Sequence, residues 1–215
     1  MSTPSSSASP ARMAARDLAH VAVFAALIIA LGLPGTINVG GTGGVPITLQ
    51  SLGVMLAGAL LGARKGMLSV LTVMAIGLVI PVLAGGRTTL TSLAGPTAGF
   101  LIGWVAAAGV IGWLTYKMLP RYRLFVGIAI NLFGGIIVMY AIGLPPLMWR
   151  ADLTLWQAIV ANGPFLPGDI AKAVIAALVA AQVHRTYPAL LASRRTAETA
   201  PSNSTDSADT ETGST

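Results

Sequence analysis

The sequence predicts an all-α integral membrane protein, with six transmembrane helices and both termini in the cytoplasm. Three observations predict it. Hydrophobic residues make up 54% of the 215 and charged residues only 9%, where a soluble domain carries about 25% charge. Apolar runs of the roughly 17–25 residues that a bilayer crossing needs recur along the chain. The basic residues gather in alternate connections between those runs, which is the charge bias that orients a multi-span protein.

The elements follow in order. Residues 1–16 begin Ser/Pro/Ala-rich and are read as a disordered cytoplasmic tail. Residues 17–186 hold the transmembrane domain, with spans expected near 18–34, 48–63, 66–84, 97–119, 123–143 and 165–184. The first run is read as retained rather than as a signal peptide, because no A-x-A-like cleavage site follows it. Only Gly62-Ala63-Arg64-Lys65-Gly66 separates the second and third spans, a tight hairpin. The runs lack sustained alternation and are rich in Ala, Leu, Ile and Gly, which suits packed helices and not a barrel. Residues 187–215 end in TAETAPSNSTDSADTETGST, polar and without large apolar groups, and are read as a largely disordered cytoplasmic tail.

The charges decide orientation. Arg12, Arg16, Arg64, Lys65, Lys117, Arg121, Arg123, Arg185, Arg194 and Arg195 fall on one side; Arg87 and Arg150 fall on the other. Lys172 lies inside the last span and completes the 13. The net charge of +6 is thereby explained by topology, and no nucleic-acid partner is expected. With no cysteine, disulfides, thiolate metal sites and cysteine nucleophiles are excluded; with only two histidines, no metal site is expected. No H-E-x-x-H, G-x-S-x-G or G-x-x-x-x-G-K-[ST] pattern occurs, so neither an enzyme nor an ATPase is expected.

An ionisable side chain in hydrocarbon costs on the order of 2.5–3.5 kcal/mol on insertion scales and needs a reason. Asp169 and Lys172 are the notable pair, three residues apart on one face of the last span. Two readings stand. Pro167 suits a first helical position, Asp169 then complements the helix dipole, and Lys172 merely neutralises it. Alternatively the pair lines a polar pocket open to the outer side, suited to a small solute with hydrogen-bonding groups and a carboxylate. Two outer loops flank that end. Gly35–Ile47, reading GTINVGGTGGVPI, is uncharged and flexible enough to close over a ligand or to serve as a plain connector. Ala84–Pro96, reading AGGRTTLTSLAGP, carries Arg87 and four hydroxyls; the arginine either steers an anion or is merely solvated. Asn131 is expected to form an interhelical hydrogen bond. Small residues at four-residue spacing (Ala22, Ala26, Ala30; Gly58, Gly62; Gly95, Gly99, Gly103, Ala107) are expected to form close helix contacts.

Four of these segments together resemble the BioY family: Val45-Pro46-Ile47-Thr48-Leu49-Gln50, Gly85-Gly86, Gly95-Pro96-Thr97-Ala98-Gly99-Phe100-Leu101-Ile102-Gly103, and Pro167-Gly168-Asp169-Ile170-Ala171-Lys172. The resemblance covers about residues 18–186, and the motifs stand in the family's order within six spans. BioY proteins are the biotin-specific substrate-binding (S) components of energy-coupling factor (ECF) transporters. The resemblance implies a multi-pass subunit of the bacterial plasma membrane that binds biotin near its outer face, biotin being substrate and not cofactor. Its implied partners are a transmembrane coupling (T) component and two ATP-binding cassette ATPases. It also implies that Ala22, Ala26 and Ala30 dock on the coupling component. Asp169 and Lys172 are the leading ligand residues, Gln50, Thr48, Arg87 and Thr97 are rim candidates, and Phe100 is a contact for the apolar ring. The first outer loop departs from the family pattern, being glycine-richer and somewhat longer. A stand-alone carrier of another small carboxylate or vitamin, and a membrane scaffold without a ligand, are the competing expectations.

Overall fold

A computed structural model describes residues 10–33 and 48–186 of the chain. The first outer loop, the ends of both tails and the basic residues Arg194 and Arg195 lie outside the described residues. The described chain is helical: α1 (Pro10–Ala30), α2 (Gln50–Leu61), α3 (Ala63–Ile76), α4 (Thr89–Ala94), α5 (Ala98–Met118), α6 (Leu124–Leu132), α7 (Met139–Ala151), α8 (Leu155–Asn162) and α9 (Leu166–Thr186). A π-helical turn, Phe133–Val138, joins α6 to α7, and a 3₁₀ turn, Gly163–Phe165, joins α8 to α9.

Each expected span has a helical counterpart, but the lengths differ. Among the described residues, three helical rods are long and apolar enough to cross a membrane: Ala98–Met118, Leu124–Ala151 and Leu155–Thr186. The second span contracts to 12 residues and the third to 14. Their hairpin turns on Gly62, whose φ of 82° is readily reached only by glycine. The helix of α3 ends at Ile76, and Gly85 and Gly86 at positive φ reverse the chain, so that Leu83 and Arg87 exchange backbone hydrogen bonds. Helix α1 starts at Pro10, so residues 10–16, read as disordered tail, are helical; proline's fixed φ suits a first helical position. The fifth span runs on past 143 to Ala151, through Pro145 and Pro146.

Helix α5 is the centre of the bundle, packed against α2, α3 and α7. Glycines make this possible. A Cβ on Gly58 would stand 2.7 Å from the Ala108 carbonyl oxygen, and one on Gly99 would stand 2.6 Å from that of Ile142. The glycine stripes are thus spent inside the bundle, where backbones approach closely. The alanine stripe is not: Ala22, Ala26 and Ala30 are all exposed. Asn131 departs from expectation. Its Nδ2 donates to Gly127 O within its own helix at 2.8 Å, and no bond to another helix forms. Its Oδ1 is buried with no hydrogen-bond partner among the described residues.

The bundle has chemically distinct ends. At one, Lys65 pairs with Asp17, His184 stacks on Tyr122 at 5.3 Å, and the His184 Nε2 lies 3.0 Å from Ala59 O. These contacts gather α1, the starts of α3 and α6 and the ends of α2 and α9. The opposite end carries Arg87 and Arg150, and between its loops lies a cavity. The girth of the molecule is apolar and uncovered, as at Ile137 and Ile175, 58% and 46% exposed.

Candidate functional site

The cavity has a volume of about 460 Å³, within the roughly 300–1,000 Å³ typical of small-molecule sites. Asp169, Lys172, Gln50, Thr48, Arg87, Thr97 and Phe100 all line it. They come from α2 and its approach, the turn after α3, the start of α5 and the start of α9, segments up to 124 residues apart.

The polar floor is built on α9. Asp169 and Lys172 are 4% and 5% exposed, so both charges are withdrawn from water. The Lys172 ammonium donates to Asp169 Oδ1 at 3.0 Å and to the Ser51 hydroxyl at 3.0 Å. Tyr140 donates its hydroxyl proton to Asp169 Oδ2 at 2.8 Å. Sequence reasoning missed Ser51 and Tyr140. Ser51 follows Gln50 directly, a usable signal; Tyr140 lies on an apolar helix with nothing in its neighbourhood to single it out. The π-turn before it resets the helical register just ahead of Met139 and Tyr140, both of which line the cavity. The floor as a whole is net neutral. Its ammonium has a third proton to offer, and its carboxylate retains free lone pairs.

Gln50 is fully buried, and both ends of its amide are engaged by one loop. Its Nε2 donates to Val82 O at 3.0 Å, and its Oε1 accepts from Ala84 N at 2.9 Å. It lines the cavity and at the same time ties the turn after α3 to the start of α2. Thr48 accepts from the Gln50 amide N–H at 3.2 Å.

That turn presents Arg87 from the outer wall. Its Nε donates to Ala84 O at 3.2 Å and its Nη1 to the Thr97 hydroxyl at 3.4 Å. No carboxylate among the described residues neutralises it. Burial lowers the Arg87 pKa from its ordinary value, since desolvation disfavours the cation. An anion alongside would relieve that cost. The outer wall therefore has a net positive charge, in contrast to the floor.

An aromatic side completes the cavity. Phe100 meets Tyr140 edge-to-face, with centroids 5.7 Å apart and rings at 88°. Gly143 makes room for it: a Cβ there would stand 2.5 Å from the Phe100 ring. Trp104 and Phe165 also line the space. The arrangement is a slot with a neutral donor–acceptor cluster at its floor, an aromatic waist and a cation on its outer wall.

Comparison with known proteins bears on this geometry. A family model for the BioY family matches residues 3–189. The biotin transporter BioY of Rhizobium etli is 46% identical over 186 residues, covering 83% of this chain and 98% of that protein. The biotin transporter BioY of Rhodobacter capsulatus is 47% identical over 192 residues, with the same coverages. Among solved structures, the S-component for biotin from an ECF-type ABC transporter superposes with a TM-score of 0.76 at 31% identity, covering 83% of this chain and 95% of that one.

Proposed function

The chain belongs to the BioY family, and from that membership we propose that it is the biotin-binding S component of an ECF-type ABC importer. The observation that carries the reading is the separation of charge within one cavity. Biotin offers a ureido group, neutral, with two donors and one acceptor; an apolar thiophane ring; and a carboxylate. A net-neutral floor complements the first, since Asp169 can accept from the ureido N–H groups while Lys172 and Ser51 donate to its oxygen. The aromatic waist takes the ring, with Phe100 against it. Arg87 takes the carboxylate, with Thr97 and Thr48 beside it. Gln50 acts through the turn it braces. Placed the other way round, the ligand would set a full negative charge against a pair that already cancels, and would leave the guanidinium unneutralised.

In this reading all six spans cross the bacterial plasma membrane, and the basic end with both termini lies in the cytoplasm. The cavity then opens outward. The chain contains no ATP-binding motif, so energy comes from two partner ATPases through a coupling component. The exposed stripe of Ala22, Ala26 and Ala30 on α1 supports a docking role, because small exposed side chains let another helix approach closely without displacing the bundle.

Calorimetric titration of the purified, folded chain in detergent tests the proposal. Tight biotin binding, independent of ATP and undiminished by excess lipoate or thiamine, is expected. A folded protein that gives no biotin heat or radiolabel retention refutes it.

A further inference from the structure

Helix α4 lies across the cavity's outer wall between Arg87 and Thr97. Its N-terminus is closed by reciprocal bonds between Thr88 and Thr91. From outside, the Arg150 guanidinium donates to Leu93 O and, at 2.6 Å, to Gly95 O. The residue between these braces is Ser92. It lines the cavity, is 4% exposed, and its hydroxyl has no hydrogen-bond partner among the described residues.

That vacancy is unusual on this wall. The hydroxyls of Thr48, Ser51, Thr97 and Tyr140, which also line the cavity, are all engaged. A helical serine ordinarily turns its hydroxyl to the carbonyl one turn back. Here that carbonyl, Thr88 O, already accepts from Ser92 N at 3.1 Å and from the Thr91 hydroxyl at 2.9 Å. A buried hydroxyl without a partner is disfavoured unless something else satisfies it.

We infer that Ser92 is a ligand-binding residue, its hydroxyl donating to a carboxylate oxygen that Arg87 neutralises. The inference rests on the biotin reading above and extends it. Ser92, Arg87 and Thr97 share one wall, and the acceptor-rich, anionic end of the ligand is the part that wall suits. A charged acceptor makes the stronger partner for a neutral hydroxyl. Arg150 is a positioning residue: it fixes the carbonyls on either side of Ala94 and so holds the helix that aims Ser92 inward.

The test compares wild type with Ser92→Ala, using biotin and biotinol, in which the carboxylate is reduced to an alcohol. Biotinol affinity is measured by competition against radiolabelled biotin. Ser92→Ala is expected to raise the Kd for biotin roughly tenfold and that for biotinol less than about threefold. The ligand-free melting temperature is expected to hold or rise, because an unsatisfied polar atom is removed; a residue with only a structural role would lower it. A variant that binds biotin as tightly as wild type overturns the inference. So does an equal loss for both ligands, which would place the hydroxyl elsewhere on the molecule. A wild type that binds neither overturns the biotin reading itself and this inference with it.

Discussion

Asp169→Asn is the sharpest perturbation of the site, because it changes charge with almost no change in shape. In the folded protein the Asp169 carboxylate accepts from the Lys172 ammonium at 3.0 Å and the Tyr140 hydroxyl at 2.8 Å. The amide keeps one acceptor and turns the other oxygen into a donor, so one of these partners, or a ureido N–H, meets a donor. Loss of one hydrogen bond to a charged group is worth about 1.5–3 kcal/mol, which is about 10- to 150-fold in biotin Kd at 1.4 kcal/mol per decade. The variant also leaves a buried ammonium uncompensated, which by itself costs about 3–5 kcal/mol of stability. Calorimetry with biotin and thermal melting without it read the two effects separately. The double variant Asp169→Asn with Lys172→Met then decides between the two readings of the pair. Removing both charges is neutral or stabilising where the pair serves only itself. Stability is therefore expected to recover while affinity stays at least about tenfold below wild type. A double variant that melts and binds like the native chain would refute the reasoning and leave the pair a structural salt bridge.

Four further outcomes are expected. Ala26→Leu, on the exposed face of α1, should abolish biotin uptake in cells or proteoliposomes containing the full transporter while leaving the Kd of the isolated chain unchanged. Gly58→Ala should destabilise the fold by about 1–3 kcal/mol, the usual cost of overpacking, because its new methyl meets the Ala108 carbonyl oxygen at 2.7 Å; thermal melting reads this. Arg150→Ala should speed biotin dissociation by roughly tenfold, with partial rescue by Arg150→Lys, because it frees the α4 carbonyls without touching the cavity. Burial pushes the Tyr122 pKa from its ordinary value of 10 up to about 12. The folded state thus holds a proton that the unfolded state has lost, so this residue's contribution is intact below pH 10 and fades as pH rises towards 12. Comparing melting temperatures of wild type and Tyr122→Phe across that window should show the native chain losing more.

The class of molecule was legible in the sequence because it rests on bulk quantities. Scarce charge, long apolar runs and basic residues in alternate loops act through transfer free energy, which needs no coordinates. The Asp169–Lys172 pair was legible for the same reason: helical periodicity puts i and i+3 on one face, and lipid does not tolerate them there unpaired. Element lengths were less so. The Gly62 hairpin that ends α2 was legible, but nothing in the apolar run that follows stops α3 at 14 residues; the loop held by Gln50 takes up the rest. Gln50 itself, a plausible rim group by type, is occupied by two backbone groups more than 30 residues away. Asn131, expected to bond across an interface, bonds to Gly127 O within its own helix.

Only the tertiary structure decided how the site is divided. Ser51, Tyr140 and Ser92 carry little sequence mark: Ser51 adjoins Gln50, Tyr140 lies in apolar surroundings, and Ser92 is one hydroxyl of four in its loop. Their significance comes from what packing places opposite them: an ammonium, a carboxylate, and an open cavity with nothing to bond. The sequence by itself determined that two opposite charges must be sheltered together, because burial energy depends on residue type. Which end of the cavity is neutral and which is cationic depends on distances between segments brought together from across the chain, and those exist only once the helices have packed.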